Sequence, residues 1–263
     1  DANDLDYVDG VRRALEPSGI QVVIPVMTSS APLIELRSLM RSGSLGGVVL
    51  MDVAQGDERE AMLLDEEIPT VLIGSSGRAV GAPGVDTDFV QMAHASVEHL
   101  AGLGHRRIVA LMRETAYDDA HARQDQAHEL LLAAGDLGVD VLVRQVPELA
   151  LAGGDIVGAD GLVEGRSAVI SNNPAAVVGL ACAAQAHGLS IPADLSVLTL
   201  GVTECRGRQG ESFSELSVDR EAMGTAAGSL LLSRLRGEPD PVERRRLMPA
   251  FLRDRGSTAH HRG

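Results

Sequence analysis

Short runs of β-branched and aliphatic residues alternate with stretches of helical periodicity along nearly the whole chain, and this alternation restricts the fold most. Strands are expected at residues 21–26, 47–51, 70–73, 107–112, 139–146, 168–171 and 195–200. Helices are expected at residues 4–16, 31–42, 57–66, 89–103, 120–134, 175–187 and 220–236. Strand followed by helix, repeated, is the pattern of a mostly parallel sheet with helices on both faces. Local end signals agree with it. Gly104 and Gly188 each stand just past a helix, where a glycine tolerates the left-handed turn that closes it. Asn173-Pro174 opens another helix with a capping side chain and a proline that needs no N–H in the first turn. With 263 residues the chain has room for one large domain or two smaller lobes, and two βα series are visible, over residues 1–103 and 105–217.

Charge decides which partners are plausible. The formal net charge is −14, and the one basic cluster is Arg244-Arg245-Arg246. Duplex DNA is bound by neutralising phosphates with Lys and Arg, so this chain is not expected to bind it directly. No apolar run reaches 18 residues, so no membrane-spanning segment is expected. The acidic start Asp1-Ala2-Asn3-Asp4 does not read as a secretion signal, which opens with basic residues. Cys182 and Cys205 lack metal-ligand or C-x-x-C spacing and read as reduced thiols of a cytoplasmic protein.

Catalytic motifs are missing. There is no G-x-G-x-x-G, no G-x-x-x-x-G-K-[ST], no H-E-x-x-H and no G-x-S-x-G. Gly74-Ser75-Ser76-Gly77 lacks the setting of a nucleophile elbow and reads as a turn. His94 and His99 are five apart, off the spacing that puts two ligands on one helical face, so no metal is expected. No cofactor is implied. His260-His261 reads as a frayed tail.

The last third carries a recognisable order of segments. Ser171-Asn172-Asn173-Pro174 precedes a helix, and Gly188-Leu189-Ser190-Ile191-Pro192-Ala193-Asp194-Leu195-Ser196-Val197 follows it. Then come Glu215-Leu216-Ser217-Val218-Asp219, a helix with Met223-Gly224, and a close on Leu252-Arg253-Asp254-Arg255-Gly256-Ser257-Thr258. Together with Gly104-His105-Arg106-Arg107-Ile108, this order resembles the effector-binding core of the LacI/GalR family of bacterial transcription regulators. The resemblance runs from about Gly10 to Thr258. It implies a two-lobed α/β periplasmic-binding-protein-like fold, each lobe a mostly parallel sheet flanked by helices, with three crossovers. It assigns residues 1–103 plus 219–245 to the N-terminal lobe, and 104–218 plus 246–259 to the C-terminal lobe. Residues 247–252 then form a C-terminal-lobe strand, and 260–263 a tail. In the family a β-strand, and a helix-turn-helix with its hinge, precede the first helix, and segments matching these are expected upstream of Asp1.

By resemblance, the effector lies in the cleft between lobes, against Asp88, Asp119, Arg123, Asn172, Asn173, Thr203 and Glu204. A guanidinium grips hydroxyls or a carboxylate as a planar fork, and amides both donate and accept, which suits a small polar metabolite such as a sugar. Asn172 or Asn173, and Asp88, stand equally well as helix caps, and Arg123 as a surface arginine. The family's R-x-x-G-F reads here as Arg123-Gln124-Asp125-Gln126-Ala127, and Thr203-Glu204 stands where it has an Asp after G-[FY]. The reading is an effector sensor that forms a homodimer and meets DNA only through a head absent from this chain. A transporter's solute-binding protein and, further off, an α/β enzyme are the alternatives.

Overall fold

The structure, a computed structural model, describes residues 5–25, 32–43, 45–114, 121–158, 161–162, 165–202 and 212–261. The chain starts with helix α1 (Leu5–Leu15) and a 3-10 turn at Glu16–Ser18, followed by α2 (Pro32–Arg41) and β1 (Val48–Leu50). Next come α3 (Glu58–Asp65), β2 (Thr70–Ile73), β3 (Gly84–Thr87) and α4 (Phe89–Gly102). The middle holds β4 (Arg107–Arg113), α5 (His121–Leu137), β5 (Asp140–Val146), α6 (Ala150–Gly154) and the short pair β6 (Val157–Gly158) and β7 (Gly161–Leu162). Then follow β8 (Ala168–Ser171), α7 (Pro174–Ala186), β9 (Ser196–Leu200) and β10 (Ser214–Ser217). The last elements are α8 (Arg220–Leu235), β11 (Arg245–Met248) and β12 (Phe251–Arg253).

Two compact units share these elements. Residues Asp1–Thr87 and Asp219–Met248 form one, Asp88–Val218 and Pro249–Gly263 the other, so the chain passes between them three times. The first unit has a parallel sheet of order β1-β2-β3-β11, with Leu50 beside Leu72 and Arg246 beside Val85. The second has a sheet of order β12-β10-β9-β8-β4-β5, parallel except where β12 runs against β10. Its central strands are buried from end to end, which is why they read as unbroken apolar runs. Val109, Leu111, Val169, Val177, Leu180 and Val197 form an aliphatic core there, while Leu36, Leu50, Leu63 and Leu72 form the smaller one of the first unit.

Helix packing in the first unit depends on bare backbone. A Cβ on Gly224 of α8 would overlap the Tyr7 carbonyl of α1, and one on Gly10 would overlap the Glu221 carbonyl. The two helices therefore cross at a distance only glycine permits, which explains why Met223-Gly224 falls where it does in the sequence.

Three expectations need correction. Residues 21–25 are not in a strand, and Val23 and Ile24 are exposed; a strand exists only where a neighbour takes its hydrogen bonds, and β1 pairs with β2 alone. The first crossing comes at residues 87–88 rather than 103–104, because α4 buries Ala93, Val97 and Leu100 within the second unit and packs against α5. The stretch 247–252 is not one strand. Residues through Met248 belong to β11 beside β3, and only Phe251–Arg253 joins the second sheet; Pro249, which lacks an N–H, stands at the break. The elements β3, β6, β7, β10 and α6 had no expectation of their own.

The carboxyl-terminal stretch, expected to fray, is docked through His261, whose N–H donates to the Leu103 carbonyl at 2.8 Å. Beside it, buried His105 makes contacts at Nδ1 with Ser167 Oγ (2.7 Å) and at Nε2 with Ser196 Oγ and the Ala259 carbonyl (both 3.0 Å). His99 Nε2 meets Thr258 Oγ1 at 3.0 Å. Burial holds the pKa of both histidines below the ordinary value of 6.5. Both are therefore neutral in the folded chain at pH 7, whereas the unfolded chain takes up protons near pH 6.5 and below. Stability is thus expected to be level above about pH 7 and to fall as pH drops through 6.5 toward the lower folded values. Urea denaturation at pH 7.5, 6.5 and 5.5 checks this, with a shallower pH dependence in His105→Gln.

Candidate functional site

The carboxyl ends of parallel strands are where open α/β sheets take ligands. In the second unit, β4, β5 and β8 end together, and side-chain amides cross-link them. Asn173 is fully buried: its Oδ1 accepts the Ala176 N–H at 3.1 Å, capping α7, and its Nδ2 donates to the Val146 and Pro147 carbonyls at 3.3 and 3.1 Å. Both amide protons and the cap are spent on structure. Asn173, one of the residues expected beside the effector, fastens the end of β5 to the start of α7.

Asn172 is the partly open member of the pair. Its Oδ1 accepts the Arg113 N–H at the end of β4 at 2.7 Å, and its Nδ2 donates to Gln126 Oε1 at 3.0 Å. Gln126 is only 2% exposed, and its Nε2 donates onward to Met92 Sδ at 3.3 Å. The Asn172 amide is thus held from both sides with a second Nδ2 proton to spare. At the rim, the Arg113 guanidinium pairs with Glu148 beyond β5, at 3.1 Å. Gln126 stands where the family motif has glycine, and its buried amide is a site residue that the expected set did not contain.

Asp88 is half-buried and caps α4, accepting the Gln91 N–H through Oδ1 at 2.9 Å. Arg123 falls in the first turn of α5, one turn before Gln126; its side chain lies outside the described residues. Asp119, Thr203 and Glu204 also lie outside them. Among the described residues no cluster of three metal-ligating side chains occurs. The described cluster offers neutral amide donors and acceptors beside one arginine–carboxylate pair, chemistry that recognises hydroxyl or carbonyl groups. The two asparagines should respond differently to truncation. Asn173→Ala, which removes a cap and uncovers two buried carbonyls, is expected to cost about 2–3 kcal/mol in chemical denaturation. Asn172→Ala, at a partly solvated position, is expected to cost about 1 kcal/mol.

Comparison with known proteins agrees with this architecture. Residues 97–258 match the family described as periplasmic binding protein-like domain. An HTH-type transcriptional regulator from the aml 5′ region of Streptomyces limosus is 26% identical over 210 residues, covering 76% of this chain and 59% of the relative. Catabolite control protein A of Staphylococcus xylosus is 23% identical over 234 residues, covering 85% of this chain and 68% of the relative. The chain thus spans about three-fifths to two-thirds of the length of these relatives. A solved regulatory protein of the LacI family from Chloroflexus aggregans superposes with a TM-score of 0.81 at 22% identity, over 97% of this chain and 92% of that one. The chain belongs to the periplasmic binding protein-like domain family.

Proposed function

We propose that this chain is the effector-sensing, dimerising part of a LacI/GalR-type transcription regulator of the cytoplasm. It takes a small polar metabolite, of the sugar kind, at the carboxyl ends of β4 and β8. The observation that carries the reading is the Asn172 amide, anchored by Arg113 and Gln126 and left with a proton to give. A donor held in place before the ligand arrives loses little entropy on binding. Arg113 and Glu148 flank it with charge. Asp88, Arg123, Asp119, Thr203 and Glu204 join the proposed contact set through their positions in the sequence.

The proposed role is binding without chemical conversion. The transcription regulators among its relatives support that reading, as does the missing pairing of nucleophile and base at the described face. Regulation works as a population shift, in which the metabolite changes the balance of two arrangements by its unequal affinity for them. DNA is contacted through a segment outside this chain, since a surface carrying −14 charges repels phosphates. Among the described residues no helix is long and apolar enough to cross a membrane.

A thermal-shift screen tests the reading, because a compound that binds only the native state raises the melting temperature. The panel is D-glucose, D-ribose, maltose, myo-inositol, adenosine and the amino acids. At least one compound is expected to stabilise the wild-type chain, and to bind Asn172→Ala at least about tenfold more weakly, the loss expected for one well-aligned hydrogen bond. Equal affinity for both proteins, or stabilisation by none of the panel, counts against it.

A further inference from the structure

Two sequence features play no part in the effector site: the Gly74-Ser75-Ser76-Gly77-Arg78 turn and the basic run Arg244-Arg245-Arg246. The first unit brings them together. A cavity of about 270 Å³ is lined by residues 74–79, by Gly81, Ala82 and Gly84, and by Arg244 and Arg245 at the start of β11. We propose that this cavity is a binding site for a small oxyanion of the phosphate type, separate from the effector site of the second unit.

The cavity is built for such a guest in three respects. Part of its wall is bare backbone, at Gly74, Gly77, Gly81 and Gly84. A Cβ on Gly81 would come within 2.6 Å of Glu60 Oε1, and one on Gly84 within 2.8 Å of the Leu72 carbonyl, while Gly74 and Gly77 hold φ values of +114° and +70° that side chains disfavour. Donors face it without competition. Ser76 is 4% exposed; its carbonyl takes the Gly56 N–H, and its hydroxyl has no partner among the described residues. Ser75 Oγ takes the Gly77 N–H at 3.3 Å, which fixes the turn.

The third respect is charge. In a chain of net charge −14, Arg78, Arg244 and Arg245 converge on one small volume. Each is tethered by part of its guanidinium only. Arg78 Nε lies 3.2 Å from Glu60 Oε2 as an ion pair, and Nη2 donates to the Gly56 carbonyl at 2.8 Å. Arg244 gives Nη1 to the Gly81 carbonyl at 2.7 Å and lies 3.7 Å from Asp240. Arg245 lies 3.9 Å from Asp86. A guanidinium carries five N–H donors in a planar fork, so each has donors left for an oxyanion's oxygens.

The neighbouring carboxylates each lie beside a cation or an N–H. Glu60 takes the Ala82 N–H at Oε1 and pairs by charge with Arg78 at Oε2, which accepts no hydrogen bond among the described residues; Asp240 is shared between Arg234 and Arg244, and Asp86 takes the Thr87 N–H. Burial pushes the Asp86 carboxyl up from its ordinary value, while the Thr87 N–H and Arg245 hold it down. Strand alternation separates Arg245 from Arg246, which faces the opposite side of β11 with Met248.

Inorganic phosphate is the probe, titrated into the intact chain at pH 7.5 with NaCl adjusted to keep ionic strength constant. The melting temperature is expected to rise with phosphate and not with chloride. Arg244→Gln with Arg245→Gln is expected to weaken phosphate binding at least about tenfold, and Ser76→Ala several-fold, while far-UV circular dichroism stays unchanged. Should the double variant not fold, Ser76→Ala alone decides. Asn172→Ala is expected to bind phosphate as the wild type does, which keeps this site distinct from the effector site. A phosphate response no larger than that of chloride, or one undiminished in the arginine and serine variants, overturns the proposal.

Discussion

Two adjacent amides, Asn172 and Asn173, tie the functional end of the second unit together. Strands β4 and β8 are neighbours in the sheet, but sheet hydrogen bonds stop where the strands stop. Beyond that point the backbone groups need new partners, and a buried unpaired carbonyl or N–H costs about 1–3 kcal/mol. Asn173 supplies partners to β5 and α7, and Asn172 to β4 and α5. The same bonds that satisfy the strand ends therefore also set the orientation of the Asn172 amide. The inner asparagine spends its amide on the fold, and the proposed effector contact falls on the outer one, which keeps an Nδ2 proton.

The consequence reaches into α5. Gln126 sits one turn after Arg123 and buries its amide between Asn172 and Met92. A glycine at this position, as in the family motif, leaves Asn172 without that lateral anchor. The glutamine thus changes how the Asn172 amide is held while leaving the pattern of elements intact.

Legibility in the sequence followed the range of the interactions. Thr70–Ile73 and Ala168–Ser171 coincide with the expected strands because buried parallel strands write their own apolar runs. The Asn173-Pro174 helix start was legible because a cap acts over three residues. Gln126 was not, since its partners lie 46 and 34 positions away and nothing local marks a glutamine for burial. Residues 21–26 read as a strand by composition, yet strand formation depends on a neighbour that local pattern does not contain. The split of 247–252 between two sheets likewise rests on pairing with β3 and β10, which are remote in sequence. His261 was assigned to a free tail because its anchor, the Leu103 carbonyl, is over 150 residues away.

The central claim is that the Asn172 face of the second unit receives the metabolite. Side-chain and backbone amide NMR of the labelled chain, titrated with pooled sugars, polyols, nucleosides and amino acids, tests it most directly. The account predicts shift changes concentrated at Arg113, Gln126 and Asn172, with the amide protons of Asn172 and Gln126 moving together because they share a hydrogen bond. Changes confined to other parts of the molecule, or none with any pool, would contradict it.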